Sequence, residues 1–296
     1  MTRTKKLLLT VGIVFVIVSL LLAYAYFIEP FRLVINRQEI YVDGWDPALD
    51  GMRFVLISDI HAGSHGSNAA QLQRMVKLAN EEYADAIFLL GDHVAGATGD
   101  DMLYLPMPMD ELASILSGLK ARYGVIAVLG NHESFYSRDL ATAALQNAGI
   151  IVLQDEVVIL EKNGHRVRVL GMRDHRQFPT WQDASNSGKK ALAPTEGTGN
   201  VIVLEHSPDV LPAITGDLLI SPDLKLMFAG HTHGGQVRLP FIGAPIVPSS
   251  YGQKYAAGHV RDFGVDMFVT TGIGTTTLPF RFMVPPEIAV ITVYSQ

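Results

Sequence analysis

The sequence of 296 residues contains no cysteine, which excludes disulfides, thiolate metal ligands and cysteine nucleophiles. Any metal site must therefore use oxygen and nitrogen donors. The net charge is −6, and no run rich in lysine or arginine follows the N-terminal segment. We therefore expect no nucleic-acid partner.

One stretch near the N-terminus lacks charge altogether. Leu7 to Ile28 are 22 uncharged and mainly apolar residues, enough for a helix to cross the hydrocarbon core of a bilayer. Basic residues precede the stretch, so the positive-inside rule predicts a cytoplasmic N-terminus and an extracytoplasmic domain. A cleaved signal peptide is the alternative, because Ala23-Tyr24-Ala25 has the form of a cleavage site. The stretch is longer than the apolar core of a usual signal peptide. Its length therefore favours an uncleaved transmembrane anchor, formed by residues 1–28.

The rest of the chain divides into a short linker and one domain. Residues 29–50 are rich in turn formers and predict a lead-in linker, and residues 51–296 predict the domain. Buried-strand and amphipathic-helix patterns alternate from residue 53, which favours an α/β domain with a parallel or mixed sheet. Further along, Asn163-Gly164 predicts a hairpin, and residues 174–200, which lack an apolar period, predict a long loop.

An apolar segment runs from Met102 to Met109. It is too short to span a bilayer, so two interpretations are open. The segment is either a lid or membrane-facing surface, or a buried lead-in to a helix predicted from Asp110. The second interpretation is favoured.

Five short clusters of metal-ligand residues each follow a predicted strand. Chemistry in α/β sheets collects beyond the carboxyl ends of strands, so these side chains are expected to meet. Mixed carboxylate and imidazole donors suit Mn, Fe or Zn, and two such ions side by side serve phosphoester hydrolysis. Asp92 is the natural bridging ligand because it is the lone donor of its cluster. The clusters are Asp59-Ile60-His61, Gly91-Asp92, Gly130-Asn131-His132, His206 and Gly230-His231-Thr232-His233.

These motifs, which read SDIH, GDH, GNHE, EHSP and GHTHGGQV, closely resemble those of the calcineurin-like metallophosphoesterases. The resemblance covers the chain from about Arg53 to the C-terminus. It implies a four-layer αββα sandwich of two mixed β-sheets, here with an N-terminal transmembrane helix. It also implies an enzyme that hydrolyses phosphodiester or diphosphate bonds with two divalent metal ions. Manganese is the first expectation, and zinc or iron are the alternatives.

Carried over position by position, the resemblance gives each motif residue a role. His132 would contact the scissile phosphate as the catalytic residue and would not bind metal. Asp92 would be shared by the two metals. The first metal would be held by Asp59, His61, Asp92 and His233, and the second by Asp92, Asn131, His206 and His231.

A narrower resemblance, to the membrane-associated bacterial branch of this family, rests on GHTHGGQVRLP and on Pro279-Phe280-Arg281-Phe282. That branch includes phosphodiesterases of the YaeI and YkuE type and the UDP-2,3-diacylglucosamine pyrophosphatase of chlamydial type. A lipid-linked phosphoester is therefore one expected substrate, and the pyrophosphatase activity is an alternative. Its substrate is cytoplasmic, however, which conflicts with an exported domain. A non-catalytic metal-binding scaffold is a further alternative.

Four other residues each have two interpretations. Arg281 would either bind a substrate phosphate or pair with a carboxylate as a structural tie. His65 and His175 would either line the pocket or lie on ordinary surface loops. His93 stands where relatives commonly have an aliphatic residue. We expect it either to pack in the core or to support the metal ligands from behind.

Overall fold

In the computed structural model, which describes residues 2–95, 105–195 and 197–296, twelve strands form two mixed six-stranded sheets. The first sheet contains, in spatial order, β1 (Val34–Val42), β12 (Glu287–Ser295), β2 (Met52–Ile57), β3 (Ala86–Leu90), β4 (Val125–Val128) and β5 (Ile151–Val152). The second contains β10 (Gly258–Asp262), β11 (Val265–Val269), β9 (Leu224–Ala229), β8 (Asn200–Leu204), β7 (His165–Gly171) and β6 (Glu156–Lys162). Pairing is antiparallel for β12 with β2, β10 with β11 and β6 with β7, and parallel elsewhere.

Helices cover the outer face of each sheet. The helices are α1 (Arg3–Phe27), α2 (Ala69–Asn80), α3 (Met109–Leu116), α4 (Glu133–Tyr136), α5 (Arg138–Asn147) and α6 (Trp181–Leu192). One buried cluster joins α2, α3 and α5 to the first sheet, and another joins α6 to the second. The result is the four-layer αββα sandwich that the motifs imply.

The continuous apolar runs of the central strands follow from burial on both faces. In β2, Val55 and Ile57 point towards the covering helices, whereas Phe54 and Leu56 point into the layer between the sheets. There, the ring of Phe54 packs on Phe228 of β9 in the second sheet, with centroids 5.9 Å apart. A strand buried on both faces cannot show the polar alternation of a half-exposed strand.

The prediction of a linker over residues 29–50 is wrong for Val34–Val42. This segment is strand β1, which pairs in parallel with β12 over its whole length. As an edge strand it is only partly buried, and its polar centre at residues 36–39 hides the strand pattern. The turn formers that suggest a linker come after the strand, at residues 43–47.

The prediction of a long loop over residues 174–200 is also wrong, because it contains helix α6. The Thr180 side chain caps this helix by accepting a hydrogen bond from the Asp183 N–H. The buried face consists of Ala184, Ser185, Gly188 and Leu192. Three of these four residues are small and the helix as a whole is polar, so no stripe of large apolar side chains marks it in the sequence.

Two local predictions agree with the structure. Asn163 and Gly164 have φ angles of 54° and 84° and connect β6 to β7 as a tight hairpin. Met107 and Met109 are buried in the core that covers the first sheet, as the lead-in interpretation predicts, whereas Leu105 of the same segment is 89% exposed. The first part of the apolar segment, residues 102–104, lies outside the described residues.

Helix α1 stands apart from the sandwich. Among the described residues it is the one helix long and apolar enough to cross a membrane, with a mean hydropathy of 2.8 over a window of 18 residues. Its side chains are exposed from Leu7 to Leu22, and only its last turns reach the domain, where Ala25 is buried. A long exposed apolar helix fits the predicted anchor; a signal segment would also pass this test.

Candidate metal centre

Loops that follow five parallel strands, β2, β3, β4, β8 and β9, converge at one end of the sandwich. Three groups of His and Asp side chains there have ligand atoms within 4.8 Å of one another. Because His61 and Asp92 each belong to two of the groups, the three form one continuous cluster. The groups are Asp59-His61-His233, His61-Asp92-His132 and Asp92-His206-His231.

Asp92 lies at the middle of this cluster. Its Oδ2 atom is 3.1 Å from Nε2 of His206 on one side and 3.7 Å from Nε2 of His61 on the other. Its Oδ1 atom accepts a hydrogen bond of 2.8 Å from the His132 N–H, which fixes the carboxylate plane. One carboxylate therefore faces two groups of imidazoles, the arrangement expected of a bridging ligand.

The ligand atoms on each side of Asp92 have the spacing of a coordination shell. Two atoms that each lie about 2.1 Å from one ion are roughly 3 Å apart when their bonds to the ion make a right angle. Nε2 of His61 is 3.2 Å from Nε2 of His233, which is 3.4 Å from Oδ1 of Asp59. On the other side, Nδ1 of His231 is 3.1 Å from Nε2 of His206. Each side thus fits one cation.

Asn131 supplies an oxygen that nothing in the described part of the protein satisfies. Its Oδ1 atom is buried and has no hydrogen-bond partner among the described residues. A buried amide carbonyl without a partner costs roughly 1–3 kcal/mol, so a ligand is expected at this position. A divalent cation would meet this need.

The backbone of the centre is strained in a way that ordinary core residues are not. Non-glycine residues with positive φ cost roughly 1–3 kcal/mol each and cluster at functional sites. Here the left-handed residues, with φ between 42° and 70°, are Asp59, His61, Asp92, His231 and His233. Five of the seven predicted ligands are therefore held in a conformation that only the surrounding loops can impose.

Protonation divides the imidazoles into two kinds. Burial would lower the pKa of His206, but Asp92 and Asp59 raise it well above the usual value. Burial, together with neighbouring cationic groups, holds the pKa values of His231 and His233 well below the usual value. These two rings are therefore neutral near pH 7 and present a lone pair, whereas a cation at His206 must displace a proton.

Comparison with known proteins agrees with this geometry. Residues 52–235, more than half of the chain, match the family model of the calcineurin-like phosphoesterases. The chain is a calcineurin-like phosphoesterase. It is 26% identical to the metallophosphoesterase YkuE of Bacillus subtilis, over 92% of this chain and 89% of that protein. It is 25% identical to the phosphodiesterase YaeI of Escherichia coli, over 90% and 91%.

A zebrafish relative is also similar. It is named a transmembrane protein with a metallophosphoesterase domain, and it is 28% identical over 84% of this chain and 55% of its own length. The family assignment supports one kind of enzyme, a hydrolase that cleaves phosphoester bonds with the help of divalent metal ions.

Glu133 ties the phosphoesterase motifs together, a role that sequence reasoning missed. Its buried carboxylate accepts hydrogen bonds from the N–H groups of Asp92, His93 and Gly130, at 3.1, 2.6 and 2.6 Å. Burial would raise its pKa, but His93 lowers it to about 2. The Asp92 and Asn131 loops are thus joined through one ionised side chain. The position of Glu133 directly after Asn131-His132 is the signal that could have found it.

His93 supports the same tie, as predicted. It is completely buried, and its Nδ1 atom is 3.2 Å from Oε1 of Glu133. It lies behind Asp92 and outside the groups of ligand atoms.

Arg281 lies beneath the centre and not at its surface. The guanidinium is fully buried and donates to the carbonyls of Gly274, Val284 and Thr271 at 3.0, 3.1 and 2.9 Å. Its Nη2 atom is also 3.4 Å from Nδ1 of His233. Burial lowers the pKa of Arg281 to about 10, so the group stays charged near pH 7. This placement favours a structural role over substrate binding.

His132 lies at the open side of the centre. Its side chain is 12% exposed, and its Nε2 atom is 3.9 Å from Oδ2 of Asp92. Its ring meets that of His61 edge-on, with centroids 4.6 Å apart. It is the least buried residue of the cluster, so solvent, and hence a substrate, can reach it.

A cavity of about 470 Å³ adjoins the second side of the centre, and His231 and His175 both line it. Arg176 also lines the cavity, and its Nη2 atom is 3.2 Å from Nε2 of His231. The sequence motifs do not predict this contact. The pocket interpretation thus holds for His175. His65 instead contacts α1: its ring stacks on Tyr26 with centroids 4.2 Å apart.

Proposed function

We propose that this protein hydrolyses phosphodiester or diphosphate bonds with two divalent metal ions. The observation that carries the proposal is the position of Asp92, whose Oδ2 atom faces imidazoles on both sides. A single carboxylate between two sets of donors is suited to two ions roughly 3.5–4 Å apart. A mononuclear site would have no use for the second set.

The proposed ligand sets follow the family motifs. Asp59, His61, Asp92 and His233 would hold one ion, and Asp92, Asn131, His206 and His231 would hold the other. When bound, the ions supply a nucleophile at neutral pH and neutralise charge on the phosphoryl oxygens. The donors are only oxygen and nitrogen, a set that manganese, zinc and iron all accept, and manganese is the ion proposed first.

His132 is the proposed catalytic residue. His132 is the least buried residue of the cluster, and Asp92 accepts a hydrogen bond from its backbone N–H. From this position, it can stabilise charge on the scissile phosphate or protonate the leaving oxygen. Arg176, at the mouth of the cavity, adds a positive charge for the remainder of the substrate.

Phosphodiesters are proposed ahead of diphosphates and monoesters. The support is a relative named as a phosphodiesterase, YaeI, and the length of that match, which covers 90% of this chain. A lipid-linked diphosphate such as UDP-2,3-diacylglucosamine is a second substrate proposal, and helix α1 is what favours it. A non-catalytic scaffold fits less well, because no ligand position is missing.

We further propose that α1 anchors the protein in a membrane, with the catalytic domain on the extracytoplasmic side. The support is the charge asymmetry, with Arg3, Lys5 and Lys6 in front of the apolar stretch. Reporter activity from a fusion after Gln296 tests this orientation. A cytoplasmic signal would reverse it and would open the route to cytoplasmic nucleotide-linked lipids.

Hydrolysis of bis(p-nitrophenyl) phosphate by the whole chain in detergent tests the activity. We expect turnover with Mn²⁺ that a chelator abolishes. His132→Ala should lower kcat by about 100-fold or more while the metal content stays that of the wild type, because acid–base assistance contributes that much. Turnover that persists in chelator, or that His132→Ala leaves unchanged, would contradict the proposal.

A further inference from the structure

The end of α1 is built into the domain. The N–H of Arg281 donates to the carbonyl of Ala25 at 3.1 Å, and Nε2 of His65 lies 2.8 Å from the carbonyl of Tyr26. The Tyr24 and Phe282 rings meet edge-on at 6.4 Å. The exposed apolar part of α1 therefore ends where the domain begins, which sets the domain directly at the surface of any membrane that holds α1.

The segments that receive α1 also carry the metal centre. Arg281 contacts His233 through its guanidinium and Ala25 through its backbone. His65, which stacks on Tyr26, comes four residues after the ligand His61. The centre thus lies close to the end of α1 and not at the far end of the sandwich.

An exposed apolar surface adjoins this junction. The segment after His233 pairs with Phe282, since the N–H of Phe282 donates to Gln236 at 3.1 Å and that of Arg238 donates to Phe282 at 2.8 Å. It then turns back between Leu239 and Gly243. We call the exposed side chains of these two segments the apolar rim: Phe241, Ile242, Ile246, Leu278 and Met283, each at least 51% exposed.

The rim also borders the cavity beside the centre. Ile246, at 79% exposure, comes two residues before Pro248, which lines the cavity with Ser249 and His231. Phe241 is held outward at the tip of its turn by a left-handed backbone, with φ of 66°. Exposed apolar side chains gathered on two paired segments in this way mark an interaction surface.

We propose that the apolar rim lies in the headgroup and acyl boundary of the same bilayer that holds α1, so that the metal centre opens towards the lipid surface. The proposal rests on the membrane anchoring proposed above. Its physical basis is that the rim is continuous with the anchor. The backbone of the rim is hydrogen-bonded to Phe282, which belongs to the segment that contacts the end of α1. Aromatic and aliphatic side chains beside an anchor are stabilised at this boundary. A phosphoester held in the headgroup layer would then reach the centre without leaving the membrane.

Tryptophan fluorescence of the whole chain in lipid vesicles tests the rim. Phe241→Trp places a reporter at the tip, and wild type provides the background of Trp45 and Trp181. Phe263→Trp is the matched control. Phe263 is also an exposed phenylalanine with a left-handed backbone, φ 52°, but it precedes β11 at the end of the second sheet opposite the centre. Phospholipids with brominated acyl chains quench only a nearby indole.

We expect brominated lipid to quench the added emission of Phe241→Trp at least several-fold more than that of Phe263→Trp. Equal quenching, or none at position 241, would overturn the proposal. Emission at position 241 that is insensitive to bromine but changes with protein-to-lipid ratio would overturn it in favour of a second copy on the rim. Hydrolysis of bis(p-nitrophenyl) phosphate by the same samples keeps this outcome separate from failure of the proposed activity.

Discussion

At the scale of the residue, the centre depends on groups that hold the ligands as much as on the ligands. Asp92 is fixed from two directions: its carboxylate accepts from His132, and its N–H donates to Glu133. Glu133 also accepts from Gly130, next to the ligand Asn131. Residues that hold metal ligands in this way commonly change affinity or activity by about 10–100-fold when replaced.

Glu133→Gln should therefore raise the dissociation constant for Mn²⁺ by about 10–100-fold. Glutamine has the same size and shape as glutamate, but its NH₂ group replaces an oxygen that accepts a hydrogen bond from a backbone N–H. kcat at saturating metal should fall much less than the affinity does. Metal titrations of turnover measure both quantities, and an unchanged dissociation constant would refute this positioning role.

A second variant separates this effect from a general loss of stability. Asp50→Asn also removes a carboxylate that accepts a backbone N–H, that of Ser295 at 2.6 Å, but Asp50 lies in the turn before β2, at the opposite end from the centre. Its metal affinity should match that of the wild type.

The residues of the Asp and His cluster can be picked out from the sequence, because each follows an apolar strand and carries a recognisable donor. Glu133 and Arg176 are not predictable in the same way. The role of Glu133 rests on hydrogen bonds that it accepts from backbone groups of another loop, and that of Arg176 rests on a contact with His231. Only the folded chain brings these groups close together. Arg281 shows the converse: a charged residue among apolar neighbours suggests a phosphate ligand, but its donors are taken by carbonyls.

At the scale of the element, the strand-end loops approach each other so closely that glycine is required. A Cβ atom on Gly230 would overlap the side chains of Ser58 and Asp59, and one on Gly130 would overlap Asp92. The glycines of the motifs therefore let two loops touch, in addition to allowing tight turns.

Gly230→Ala should abolish metal-dependent turnover, because the added methyl displaces Asp59 from its place beside His233. Gly188→Ala in α6 is the matched control: its Cβ would lie 3.2 Å from the Ile220 side chain, a tight contact that a flexible methyl can relieve. Activity assays with circular dichroism on both variants measure this. Turnover of Gly230→Ala near that of the wild type would show that the contact with Asp59 is unimportant.

Element prediction from the sequence works where strands are buried on both faces, as in β2, β3 and β8, and fails at the periphery. Strand β1 is missed because an edge strand needs little apolar content. Helix α6 is missed because three of the four residues on its buried face are small, namely Ala184, Ser185 and Gly188. In both cases, burial comes from tertiary packing that composition does not record.

At the scale of the whole molecule, the centre connects the two sheets. Asp59, Asp92 and Asn131 follow strands of the first sheet, and His206 and His231 follow strands of the second. Metal ions at this place would link the two halves, and a ligand that binds only the folded state adds about 2.7 kcal/mol of stability at 100 times its dissociation constant. Helix α1 joins the same end of the molecule.

The number of metal ions needed for turnover tests the central claim most directly. Metal-free protein, at a concentration far above the dissociation constants, is titrated with Mn²⁺ while hydrolysis of bis(p-nitrophenyl) phosphate is followed. Asp92→Asn serves as the variant that lacks the bridging carboxylate. We predict full activity at two equivalents per chain and almost none for Asp92→Asn at any metal concentration. Full activity at one equivalent, or an active Asp92→Asn variant, would contradict a two-metal centre bridged by Asp92.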